Sequence, residues 1–240
     1  MKRIAMILMA ALLASAAAHA QDTAPQTDAP TPVIPVSYEW TGEIPAGEEL
    51  VEAFSWAEEF PESRLAKMIA TGRGIDAVIA PYPGDDRPRE ELQVEYRINK
   101  LTLEVKDVEG VGSCVVVGHP DDRVALTLDL LTIDRPVIET EDYAIVGMVR
   151  YAGVEEDAQF VMWNIFPDGS MYYSRTAAEF GPAAILEGTS GWREFRVPFN
   201  KGDAPSPTKV TFSLDLSGEG KVWIGPVKLV QMKPVAEEEA

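Results

Sequence analysis

Five aromatic residues and a handful of polar neighbours carry most of the chemistry this chain could perform. Trp163, Tyr172, Tyr173, Trp192 and Trp223 fall on or beside segments that read as strands, with Asn164 and Arg175 close to the two tyrosines. Flat C–H faces of sugar rings stack on Trp and Tyr, while hydroxyls pair with Asn, Asp, Gln and Arg. Taken singly, each aromatic is better read as core packing, and Trp163 and Trp223, set among apolar neighbours, look most like core. Tyr172 and Tyr173 point to opposite faces of any strand that holds them. Tyr172 shares parity with Ser170 and Ser174 and is expected to face outward; Tyr173 shares parity with Met171 and is expected to face inward. Tyr172, Asn164, Arg175 and Trp192 are therefore the candidate ligand-binding residues.

Other catalytic constellations are thin. The sequence holds two histidines, His19 near the amino terminus and His119. Zinc sites built on several His or Cys are excluded by count. His119 lies in His119-Pro120-Asp121-Asp122, which reads as a solvated turn, and no G-x-S-x-G is present to supply a nucleophile. Nucleotide-binding glycine loops are absent as well. Paired carboxylates are harder to dismiss in a chain with 39 acids. Glu155-Glu156-Asp157-Ala158-Gln159-Phe160 begins like a glycosidase strand of the form E-x-D-x-x-E but ends in Phe160, and Gly153 to Asp157 reads as a loop. No catalytic and no metal-binding residue is assigned. Asp121, Asp122, Glu141 and Asp142 could meet a structural calcium at a loop end, but their spacing is not diagnostic. The single cysteine, Cys114, sits in a valine-rich run and reads as a small buried hydrophobe that forms no internal disulfide.

These residues need a scaffold, and the amino terminus says where it would work. Lys2 and Arg3 precede an uncharged run from Ile4 to Ala17, and Ala18-His19-Ala20 offers a cleavage site before Gln21. This pattern reads as a signal peptide of the general secretory route, and its apolar run is too short to span a bilayer. Its loss takes two bases and no acid, so the formal charge falls from −18 to −20. So acidic a protein repels phosphate backbones, which argues against nucleic acid and anionic membrane surfaces. A secreted or periplasmic protein without membrane insertion is expected. Residues 21–37, rich in Pro, Thr and Ala, read as a disordered linker; 38–232 as a single domain; and 233–240 as an acidic tail.

Within that domain the periodicity is that of strands. Val210, Phe212, Leu214 and Leu216 alternate with Thr211, Ser213 and Asp215, giving one dry and one wet face. Ser217 to Gly220 reads as a hairpin turn, with Lys221 to Val230 returning as the partner strand. Val124, Leu126, Leu128 and Leu130 alternate likewise, and Phe195, Val197 and Phe199 give another inward face. Tyr143 to Tyr151 and Phe160 to Phe166 are apolar on both faces, as central strands are. Pro167-Asp168-Gly169 is a tight turn. Pro61 to Ala70 fits a short helix or a strand equally well. The expected fold is mainly all-β, an antiparallel jelly-roll β-sandwich with at most one or two short helices, and a core that includes Leu126, Leu128, Ile145, Val149, Phe195, Val197, Phe212 and Leu214.

Three pieces between about Asp142 and Val230 resemble the galactose-binding-like superfamily of jelly rolls, which includes many carbohydrate-binding modules. They are Gly191-Trp192-Arg193-Glu194-Phe195-Arg196-Val197-Pro198-Phe199, the alternating Val210 to Leu216, and Gly220-Lys221-Val222-Trp223-Ile224-Gly225-Pro226-Val227-Lys228-Leu229. The resemblance implies the fold and a sugar ligand. Many such domains carry Asp where this chain has Gly225, which speaks against a structural calcium here. The sequence thus points to an exported, non-catalytic binding or surface-interaction module for carbohydrate or a cell-envelope component. The alternatives are a secreted polysaccharide hydrolase with paired carboxylates, and a structural envelope protein without a small ligand.

Overall fold

Alternating side chains in the order just read fold into strands β1 (Glu48–Phe54), β2 (Ile75–Ile79), β3 (Thr102–Val108), β4 (Gly112–His119), β5 (Val124–Asp134), β6 (Asp142–Ile165), β7 (Met171–Arg175), β8 (Leu186–Asn200), β9 (Lys209–Ser217) and β10 (Gly220–Met232). A single helical turn, α1 (Trp56–Glu59), is the one helix among the described residues. The computed structural model describes residues 44, 46–61, 75–79, 101–120 and 124–233. The leader, the linker, the 61–70 segment beyond Pro61 and all of the tail except Lys233 lie outside them, as do Leu92 to Lys100 and the Asp121-Asp122 pair. No helix among the described residues is long and apolar enough to cross a membrane.

Every pairing between these strands is antiparallel, and β6 organises them. Its first half, Asp142 to Ala152, lies between β10 and β8. Its second half, Ala158 to Ile165, lies between β9 and β7. Between the halves the register with β8 shifts repeatedly, and Gly153 takes a left-handed φ of 60° that a side chain would resist. The strand bends there and passes from one layer to the other. The first layer runs β3–β4–β10–β6–β8, with β1 continuing the outer edge of β10 beyond β4. The second runs β2–β5–β9–β6–β7.

The dry faces of the two layers meet in one core. Phe195 of the first layer packs on Phe160 and Phe212 of the second, with ring centroids 4.2 and 5.7 Å apart. All eight residues expected in the core are buried, so the β-sandwich and its inward faces follow the periodicity.

Three expectations fail on connectivity and exposure. β9 and β10 do not pair with each other: the turn at Ser217 to Gly220 carries the chain from one layer to the other, and β6 stands between them. Gly153 to Asp157 is not a loop but the bent middle of β6. His119 is not solvated: it is 3% exposed at the end of β4, and its Nδ1 donates to the Gly218 carbonyl at 2.6 Å, fastening that inter-layer turn. Cys114 is buried on β4 as expected, and burial, with Asp107 adding to it, pushes its thiol up to about 12.

Gly225 is explained by crowding. A Cβ there would come within 3.0 Å of Val111 Cγ1 and 3.2 Å of Met148 Cβ. Its carbonyl accepts the indole N–H of the fully buried Trp56 at 2.6 Å, where α1 plugs a bulge in β10. The carboxylate that resembling domains carry has no room here.

Candidate functional site

The outward side of the second layer is half apolar and half polar, and the ladder shows why. Cross-strand neighbours place Tyr173, Trp163, Thr211 and Thr132 in one row across β7, β6, β9 and β5. The next row holds Arg175, Val161, Ser213 and Asp129, and the one beyond it Gln159, Asp215 and Thr127. Trp163 and Tyr173 are 37% and 55% exposed, with rings 4.9 Å apart. Both thus contradict expectation, Trp163 as core and Tyr173 as inward-facing. β6 is apolar on both faces, so its pattern could not say which residues point out, and among the described residues β7 pairs with β6 alone.

The polar half is held in place by its own hydroxyls. Ser213 donates to Asp129 Oδ1 at 2.8 Å and Thr127 to Asp215 Oδ1 at 2.7 Å, each pair directly opposed across β5 and β9. Burial raises the Asp215 carboxyl above its ordinary range; the Thr127 bond opposes this, Asp129 adds to it, and Arg175 offsets it. Those influences place Arg175, Asp129 and Asp215 in one electrostatic neighbourhood. Thr211, Ser213 and Asp215 were legible as a wet face from their alternation. Their shared face with Trp163 and Tyr173 was not.

Tyr172 lies on the other side of β7, 57% exposed, at one end of the sandwich. It lines a cleft of ≈ 620 Å³ whose walls are the β6–β7 hairpin, including Phe166, Asp168 and Ser170, and the end of β8, with Phe199, Asn200 and Lys201. Tyr173 also reaches this cleft. Asn164 does not. It is fully buried beneath Tyr172, where its Oδ1 accepts the Tyr143 hydroxyl at 2.7 Å and its amide donates to the Met162 and Tyr172 carbonyls. Burial raises the Tyr143 hydroxyl well above its usual range, so it stays a donor. Asn164 braces the hairpin from within and has no surface exposed.

The other two candidates stand apart. Arg175 is exposed on the outward face, two residues from Tyr173. Trp192 is half-buried and lines a separate cleft of ≈ 340 Å³ with Met148, Pro182 and Arg193. Arg193 is committed to the Ala184 and Ile185 carbonyls, both at 3.1 Å. Trp223, expected in the core, is half-buried with Arg150 and Lys221 each 5.0 Å from its ring centroid, so cations already occupy its π-faces. Of the suggested calcium ligands, Asp142 instead accepts from Asn200 at 2.7 Å. The described residues contain no group of three or more metal-binding side chains.

No protein-family model matches the chain, and neither does any curated protein. Solved structures do. The CBM22-1 xylan-binding domain of Paenibacillus barcinonensis Xyn10C is 11% identical over 79% of this chain and 98% of that one, with a TM-score of 0.43. The C-terminal family 22 carbohydrate-binding module of Clostridium thermocellum Xyn10B is 6% identical over 78% and 96%, with a TM-score of 0.40. The enzymatically active domain of bacteriophage CBA120 tailspike protein 4 is 10% identical over 65% of this chain and 18% of that one, with a TM-score of 0.41. These are likenesses of β-sandwich architecture. Backbones that superpose so loosely constrain neither ligand nor site, and the functional argument rests on the residues themselves.

Proposed function

We propose that this protein is an exported, non-catalytic carbohydrate-binding module that takes its glycan on the outward face of the β5–β9–β6–β7 layer. The observation that carries this is the Trp163–Tyr173 pair, exposed on a sheet face whose next positions are Arg175, Asp129 and Asp215. The aromatic half offers a platform to the C–H face of a pyranose, and the polar half offers acceptors and one guanidinium to its hydroxyls. The carboxylates are pre-oriented by Ser213 and Thr127, so little ordering is needed on binding. Export rests on the leader before Gln21, and mass spectrometry of the secreted product should find Gln21 as its first residue.

Calorimetry against soluble oligosaccharides and insoluble polysaccharides tests the site. Binding should fall in the micromolar to millimolar range, and Trp163→Ala should weaken it about tenfold or more, some 1.4 kcal/mol. Absence of binding across the panel defeats the proposal.

One observation favours a second reading, hydrolysis. Asp215 is driven toward its protonated form beside Asp129, and glycoside cleavage needs one acid protonated and one ionised. The two sit side by side on one sheet face rather than across a cleft, which is why binding is preferred. Release of reducing sugar that Asp215→Asn abolishes would reverse that preference.

A further inference from the structure

The half-open cleft beside Tyr172 is built independently of the outward face. One wall is the β6–β7 hairpin of the second layer, and the other is the end of β8 in the first, with the turn that follows it. Each wall is fixed by its own hydrogen bonds. In the hairpin, Gly169 N–H donates to the Phe166 carbonyl and Phe166 N–H to the Ser170 carbonyl, both at 2.9 Å. Opposite, the Asn200 amide donates to Asp142 Oδ1 at 2.7 Å, and its oxygen takes the Gly202 N–H at 2.9 Å. Lys201 N–H donates to the Glu141 carbonyl at 2.9 Å, and Ala204 N–H to the Lys201 carbonyl at 3.1 Å. A ligand between walls so tied meets a formed surface, and little of its binding free energy goes into ordering one.

Aromatic rings make the apolar part of that surface. Phe166 and Phe199 pack with centroids 6.3 Å apart, and Phe199 rests on Tyr143 at 5.5 Å. Tyr172 stands edge-on to Phe166, centroids 6.0 Å apart, and that contact leaves more than half of it exposed. The polar part holds one acid and one base. Asp168 Oδ1 takes the hydroxyl and the N–H of Ser170, at 2.7 and 2.9 Å, and these bonds hold its exposed carboxyl below the ordinary range. Its second oxygen remains an ionised acceptor. Lys201 Nζ donates one proton to the Ala204 carbonyl at 2.8 Å and keeps two more. A pyranose matches this set: its C–H face stacks on Tyr172, and its hydroxyls donate to Asp168 and accept from Lys201. The size fits, since pockets for small ligands span roughly 300–1,000 Å³.

Strand β7 relates the cleft to the face. Tyr172 and Tyr173 leave it on opposite sides, and Tyr173 both packs on Trp163, rings 4.9 Å apart, and lines the cleft. Trp163 takes no part in the cleft. We infer that the cleft is a second carbohydrate-binding site, with Tyr173 serving both, so that the protein holds two glycan segments at once. Its ligand class rests on the carbohydrate-binding proposal above. Tyr172 is the one exposed ring that the cleft has to itself, so it is the weaker site. Two weak sites on one domain hold a polysaccharide more tightly than either does alone.

The probes are xylotriose, cellotriose, laminaritriose and mannotriose, titrated into isotopically labelled protein and followed by NMR. For a trisaccharide that binds, two groups of amides should shift: Thr211 and Ser213 on the face, Ser170 and Ala204 at the cleft. Trp163→Ala should weaken the first response about tenfold and leave the second within about twofold. Tyr172→Ala should do the reverse, Tyr173→Ala should weaken both, and Tyr172→Phe should stay within about threefold of wild type. Thermal melting of the variants confirms that they fold. If the face amides respond and the cleft amides do not, or if Trp163→Ala abolishes both responses together, the second site is wrong and the face proposal stands. If the cleft amides alone respond, the face proposal is wrong and the cleft stands as a site. If neither group responds to any probe, both are wrong.

Discussion

The rings of Phe195 and Phe212 stack across the sandwich, centroids 5.7 Å apart and planes 2° from parallel. One comes from each layer, and Phe160 wedges against both, 4.2 Å from Phe195 and 5.2 Å from Phe212. Truncating the centre of such a cluster forfeits its burial and leaves a void that close-packed neighbours cannot refill. Phe212→Ala should cost about 3–5 kcal/mol in urea unfolding. A loss below about 0.5 kcal/mol would mean that the two layers do not meet here.

Gly225 offers a test of crowding rather than of cavity. Gly225→Ala places a methyl group 3.0 Å from Val111 Cγ1 and threatens the Trp56 contact on the same residue's carbonyl. Overpacking of this kind should cost about 1–3 kcal/mol, read as a lower urea midpoint at unchanged slope. An unchanged midpoint would show that Val111 and Met148 yield freely.

Asp215 makes a prediction about pH. Its carboxyl is raised in the folded protein, chiefly by burial, so the ionised form is disfavoured there relative to the unfolded chain. Its contribution is intact below the unfolded pKa, about 3.9 for Asp, and is lost as pH climbs through the raised folded value. Asp215→Asn should therefore melt higher than wild type at pH 7, with the advantage shrinking as pH falls toward 3.9. A difference that stays constant from acid to neutral pH would show that the charge is not what matters.

Cys114 should be silent in the native state. Buried on β4, with its thiol pushed up to about 12, it offers negligible thiolate at neutral pH. A thiol reagent at pH 8 should label it only at the rate of unfolding, and denaturant should accelerate labelling in step with the unfolded fraction. Fast labelling of folded protein would mean that β4 opens locally.

Much of the sandwich was legible because one face of most strands is wet. Phe212 and Leu214 alternate with Thr211, Ser213 and Asp215, and that contrast sets their orientation without knowledge of any partner. Connectivity was not legible, because Ser217 to Gly220 turns the chain equally well within a layer or between layers. What decides is the strand that intervenes, and β6 is remote in sequence. The candidate site suffered where contrast disappears. β6 is apolar on both faces, so Trp163 could not be told from Met162, and both sides of β7 are exposed, so Tyr172 and Tyr173 carry no signal of burial. Asn164 misled for the opposite reason. A polar residue suggested solvent, but its partner is the buried hydroxyl of Tyr143, 21 positions away.

One strand belongs to both layers, and this has a mechanical meaning. Pulling β6 along its axis loads the ladders with β8 and β10 and those with β7 and β9 together, in shear, so neither layer can peel away and leave the other whole. Unfolding should be a single cooperative event. The amides of Val149 in the first layer and Phe160 in the second should then exchange with solvent through the same global opening, although 11 residues and a bend separate them.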